Sequence, residues 1–133
     1  MLQGFEHIGM TSRDLDRTIA FYCGLLGLKL ALRKPQTKGE VAFLDAGGGM
    51  LEVFAPGAGI DLSRDVPPHE AGVRHLTFAF TDIGVMIEKL AAAGVEIIEQ
   101  PRIAHNTEMF KRVSFVRDPD GIIIELVERA AGR

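Results

Sequence analysis

At 133 residues the chain suits one compact domain, or two small modules that share a core. Hydrophobic residues make up 47% and charged residues 25%, a balance that excludes disorder, and a net charge of -3 gives no electrostatic basis for nucleic acid or an anionic membrane as partner. The apolar runs are too short to span a bilayer, the opening MLQGFEH has no secretion-signal pattern, and one cysteine cannot make an internal disulfide, so the expected location is cytoplasmic.

The first predicted strand carries His7 in GFEHIGMT, with Phe5 and His7 on one face. Seven residues later Asp14 opens an amphipathic helix. Leu15, Ile19, Tyr22 and Leu26 recur at i, i+4, i+7 and i+11, and Gly27 ends it. Cys23 lies within this pattern and reads as a reduced, packed thiol, since no His lies near it in sequence. Strands are predicted over residues 28–32, 40–44 and 50–54, separated by the turn segments KPQTKG and DAGGG. Met50, Glu52 and Phe54 share one face of the last of these. A connector rich in Pro and Gly follows over about residues 57–72, and its length suits a pocket-edge loop better than a tight turn.

The pattern then repeats. His75 stands in VRHLTFAF, sharing a face with Val73 and Thr77, and Asp82 follows seven residues later. Ile83, Met86, Ile87 and Leu90 mark a second amphipathic helix that stops at Gly94. Strands are predicted over residues 95–98, 112–116 and 122–127, with a type I turn at DPDG, residues 118–121. Ile123, Glu125 and Val127 share one face of the final strand. The alternate positions, Leu76 with Phe78 and Ile122 with Ile124 and Leu126, are apolar and suited to packing beneath the helices.

Each half therefore reads as strand, helix and three strands, and the halves align from their histidines. His7 to Glu52 is 45 residues and His75 to Glu125 is 50. A lone strand His is ordinarily structural, and a lone strand Glu ordinarily faces water. Four such residues at matching places weaken both ordinary readings. Glu125 sits amid Ile123, Ile124, Leu126 and Val127, where an unpartnered charge is costly to bury. Two imidazoles and two carboxylates suit one divalent ion, with Ni, Co, Zn, Mn and Fe all compatible. His69 and His105 have no counterpart in the other half and read as surface or loop residues. Met50, Met86 and Met109 read as pocket or core filler.

The segments HIGMTSRDLDRTIAFYCGLLGLKL, RHLTFAFTDI and RDPDGIIIELVE resemble the vicinal oxygen chelate superfamily, which includes glyoxalase I, methylmalonyl-CoA epimerase, extradiol dioxygenases, and bleomycin and fosfomycin resistance proteins. The resemblance covers essentially the whole chain. It implies an α+β fold: a single domain over 1–133 in which two paired βαβββ modules, about 1–56 and 73–129, form a curved, cup-like mixed sheet with helices on its outer face. It also implies a homodimer and a metal held by His7, Glu52, His75 and Glu125.

The ligand set resembles bacterial glyoxalase I, which has His, Glu, His and Glu at these places. Epimerases typically carry Gln where Glu52 stands, dioxygenases and fosfomycin transferases use two His and one Glu, and bleomycin-binding members generally lack the ligands. The activity implied is a lyase or isomerase of the glyoxalase I type. It moves a proton through a metal-bound enediolate of a small hydroxy-carbonyl substrate, with Glu125 as leading base and Glu52 as its partner. The alternatives are an epimerase-like isomerase, an Fe(II) dioxygenase using His7, His75 and Glu125, and a non-catalytic small-molecule binding protein. One departure bears on the substrate. Glutathione-using glyoxalases place arginines where this chain has Thr11 and Ala71. Arg13, Arg74, Lys111 and Arg112 are available, but strand alternation turns Arg74 away from the ligand face. A small α-hydroxy or α-keto compound is thus at least as well supported as a glutathione adduct.

Overall fold

An aspartate caps each helix, as the sequence predicts. In the computed structural model, which describes all 133 residues, Asp14 has extended backbone and its carboxylate accepts from the Arg17 amide at 3.2 Å. Asp82 does the same for the Val85 amide at 3.1 Å. Each cap satisfies an amide that the first helical turn leaves without a partner. Gly27 and Gly94, at φ +94° and +81°, take the left-handed conformation that follows each helix and that only glycine adopts without strain.

The chain forms two units, Met1–Leu62 and Ser63–Arg133, so the boundary falls within the predicted connector. In the first unit the order is β1 (His7–Thr11), α1 (Leu15–Ile19) running into a π-helical stretch (Ala20–Leu25), β2 (Lys29–Pro35), β3 (Glu40–Asp45) and β4 (Met50–Ala55). In the second it is β5 (Leu76–Ala79), α2 (Ile83–Ala92), β6 (Ile97–Ile103), β7 (Phe110–Arg117) and β8 (Ile123–Arg129). The sheets are ordered β1-β4-β3-β2 and β5-β8-β7-β6. The first strand of each unit pairs parallel to its last, and the remaining pairs are antiparallel. A parallel pair needs a crossover, which in each unit the helix begins. Both units are therefore mixed-sheet βαβββ modules of an α+β protein. No helix is long and apolar enough to cross a membrane.

The first helix departs from expectation. The spacing from Leu15 to Leu26 predicts a continuous α-helix, but the Leu26 amide donates to the Phe21 carbonyl at 3.0 Å and the Leu28 amide to Tyr22 at 2.9 Å. The widened turn brings the sequence neighbours Phe21 and Tyr22 both into the core, edge to face with ring centroids 4.9 Å apart. Periodicity alone does not reveal such a turn, because it displaces the stripe by less than one helical step.

Alternation along the strands separates two faces. Leu51 and Val53 of β4, beside Leu44 and Ala42 of β3, are buried on the side where α1 packs. Ile124 and Leu126 of β8, beside Val116 and Ser114 of β7, occupy the same place under Ile83, Ile87 and Leu90 of α2. Each fully buried aliphatic side chain contributes about 2 kcal/mol relative to exposure.

Glu128, also on the helix face, is buried and binds the N-terminus of α2. Its carboxylate accepts from Arg112 Nε at 3.0 Å, from Arg112 Nη2 at 2.7 Å and from the Ile83 amide at 2.9 Å. Arg112, expected to be available to a substrate, is thus committed to structure. The Arg112 guanidinium holds the Glu128 carboxyl below its ordinary range, against the opposing effect of burial. A depressed carboxyl contributes stability that is present above the unfolded-state pKa and lost as pH falls through the folded-state value. The melting temperature is therefore expected to fall as the medium is acidified through and below the ordinary carboxylate range. Glu128→Gln should lower it by roughly 5 °C at neutral pH and flatten that acid dependence. Thermal melts of both proteins across the acid range check this, and parallel pH profiles would refute it.

Candidate functional site

In the first unit the parallel register of β1 on β4 sets Gly9 beside Glu52 and His7 beside Met50. Alternation then puts His7 and Glu52 on one face, opposite the helix. A Cβ at Gly9 would stand 3.7 Å from Glu52 Oε1, so the glycine leaves open space beside the carboxylate. Phe43 pairs with Glu52 across β3 and β4, and its ring meets the His7 ring edge-on, with centroids 6.2 Å apart. His7 Nδ1 lies 3.5 Å from Glu6 Oε1.

The second unit repeats this construction with one change. Thr77 occupies the place of Gly9, paired with Glu125 across β5 and β8. Phe115 occupies the place of Phe43. It pairs with Glu125 and meets the His75 ring edge-on at 5.7 Å. The Thr77 hydroxyl donates to Glu125 Oε1 at 2.9 Å and lies 3.0 Å from His75 Nδ1. A hydroxyl has one proton, and Glu125 receives it, so the bond to His75 uses the proton on Nδ1. In the neutral ring Nε2 then keeps its lone pair, the form in which imidazole binds a metal. His75 Nδ1 and Glu125 Oε1 are 3.9 Å apart, and the Glu125 side chain is only 14% exposed. The hydroxyl offsets part of the cost of withdrawing that carboxylate from water.

His75 and Phe115 belong to the wall of a pocket of about 360 Å³ in the second unit. Ile123 lies with them on the ligand-bearing side, Ile98 and Glu99 of β6 form another wall, and connector residues 65–68 close an edge. The connector is thus the pocket-edge loop its length suggests. Arg74 also lines this pocket, contrary to the expectation that alternation turns it away. The reason is local: β5 begins at Leu76, so residues 73–75 are not held to strand alternation.

The other candidates resolve simply. His69 and His105 are exposed, and Met109 is exposed rather than a filler, while Met50 and Met86 are half-buried. Burial pushes the Cys23 thiol up, the reverse of an activated nucleophile. Phe43 and Phe115 escaped the sequence reading, although each lies on the strand before its Glu, in matching halves. Within either unit no three His, Cys, Asp or Glu side chains gather as metal ligands. Each unit supplies one imidazole and one carboxylate, which fit half of an N/O shell for a divalent ion.

Comparison with known proteins agrees with the fold. The chain is 31% identical to the uncharacterized protein YaeR of Escherichia coli, over 96% of this chain and 98% of that one. It is 28% identical to a probable lactoylglutathione lyase of Synechocystis sp., over 89% of each. The crystal structure of glyoxalase I from Zea mays superposes with a TM-score of 0.78 at 27% identity, covering 96% of this chain and 45% of that longer one. The family model described as Glyoxalase/Bleomycin resistance protein/Dioxygenase superfamily matches residues 4–126, nearly the whole chain, which therefore belongs to that superfamily.

Proposed function

We propose that the chain is a metal-dependent lyase or isomerase of the glyoxalase I type, acting on a small hydroxy-carbonyl compound. In this proposal His7, Glu52, His75 and Glu125 hold one divalent ion, one His–Glu pair coming from each unit. The observation that carries the reading is the repetition of His, Glu and a supporting Phe at matching register in both units. Chance does not readily build the same polar constellation twice on the face away from the helices. The relatives named lactoylglutathione lyase favour this class over the other activities of the superfamily.

Bound there, the ion would supply Lewis acidity toward two adjacent substrate oxygens. The protein's own groups do the rest. Glu125, largely withdrawn from water, is the base that takes the proton next to the carbonyl. Glu52, entering the cycle as the protonated acid, gives its proton to the neighbouring carbon, and exchange with solvent returns both groups to their starting states. His7 and His75 anchor, their rings steadied by Phe43 and Phe115, and Thr77 orients His75. The active form is a homodimer. The edge strands β2 and β6 leave Leu30, Leu32 and Ile103 exposed, which suits cover by a second copy.

Protein purified from metal-replete medium is expected to hold close to one divalent ion per chain, read by elemental mass spectrometry. Metal-reconstituted protein should turn over a hemithioacetal without oxygen, and more efficiently than methylmalonyl thioesters or catechols. A well-folded, metal-free product would defeat the proposal. Turnover that stops under anaerobic conditions would move it to the dioxygenases.

A further inference from the structure

The pocket beside His75 has an uneven charge. Four ionisable residues line it: Asp65, Arg74, His75 and Glu99. Asp65 is paired with Arg117, whose guanidinium donates to both its carboxylate oxygens at 2.8 and 2.9 Å. Arg117 also binds Glu96 and the Gly121 carbonyl, so this pair is fixed to the turn after β7. Glu99 is neutralised by Arg102 through a side-chain hydrogen bond. Arg74 makes no hydrogen bond or ion pair with any residue of the chain. Both acidic groups of the wall are therefore paired, and the guanidinium next to His75 is not.

We infer that this pocket selects a small acid, and that Arg74 is the residue that grips its carboxylate. A guanidinium presents a planar fork of donors that matches a carboxylate in a bidentate pair, and the match is stronger than a neutral hydrogen bond. The pocket's 360 Å³ lies at the low end for ligand sites, which suits a compound of a few carbons rather than a peptide conjugate. Arg74 and His75 are neighbours in the chain and line the same pocket, so a compact hydroxy- or keto-acid held there faces both side chains. The inference deepens the proposed function and rests on it, because it assigns the substrate class of the same site.

The test is calorimetric binding of hydroxypyruvate and hydroxyacetone, which share a hydroxy-ketone and differ by a carboxylate against a methyl group. Both metal-free and metal-loaded protein are titrated, and the ion content of each sample is measured. The wild-type chain is expected to bind hydroxypyruvate at least about tenfold tighter than hydroxyacetone in both forms. Arg74→Gln should remove that preference and leave hydroxyacetone binding unchanged, while Arg74→Lys should restore part of it. Equal affinity of wild type for both compounds, or an unchanged preference in Arg74→Gln, overturns the inference even where the ion is bound. A preference that depends on Arg74 in a protein that never takes up an ion supports the anion site and defeats the metal-dependent reading.

Discussion

Glu125→Gln is expected to lower turnover by about a thousandfold while the protein still takes up its divalent ion. The substitution keeps the shape of the side chain and an oxygen that can accept from Thr77, so the polar chain from His75 through Thr77 survives. It removes the negative charge and the basicity. An amide oxygen still ligates, but it cannot take a proton from carbon. The half-buried position sharpens the contrast, since at 14% side-chain exposure less water is available to replace the lost base. Glu52→Gln should cost less, about ten- to a hundredfold, because it acts in the return of the proton. Measuring kcat and bound metal on the same samples separates the two effects. Near-normal kcat in Glu125→Gln would remove it as the base, and loss of kcat in strict proportion to metal would make it only a ligand.

Much of this arrangement is legible in the amino-acid sequence because duplication doubles each signal. Asp14 and Asp82 cap their helices, and the two glycines stop them, since caps and left-handed residues are local requirements that few side chains meet. His7, Glu52 and Glu125 lie on their predicted faces because alternation is obeyed within a hydrogen-bonded strand. Arg74 breaks the rule because it precedes the first ladder bond of β5. The fate of Arg112 is hidden for another reason: its partner Glu128 lies on a different strand, and a pair across a sheet leaves no sequence spacing to read. The two phenylalanines were readable only after the strands were in register, when Phe43 and Phe115 fall opposite the two glutamates. The structural difference between the halves, Gly9 against Thr77, has no propensity signal at all.

That difference leads to the second large effect, on metal affinity. His75→Ala and His7→Ala should each weaken metal binding by more than about a hundredfold, beyond the range typical for loss of an outer-shell partner. Thr77→Val should lie within that range, about ten- to a hundredfold, and Thr77→Ser should stay near wild type. Valine matches threonine in shape but cannot bridge. It leaves Glu125 without its donor and frees His75 Nδ1, so either tautomer of the ring becomes accessible and the lone pair on Nε2 is no longer enforced. His7 has no such bridge, since Gly9 offers no side chain, and its Nδ1 faces only the exposed Glu6 at 3.5 Å. The second unit is therefore the pre-oriented half of the proposed shell. Competitive chelator titrations, with cobalt absorption as a readout of ligand geometry, give the ordering. Melting temperatures of the metal-free variants should match wild type, because none of these residues lies in the helix-facing core. Equal affinity in Thr77→Val and wild type would leave the hydroxyl as a packing detail, and full metal binding in His75→Ala would remove that imidazole from the shell.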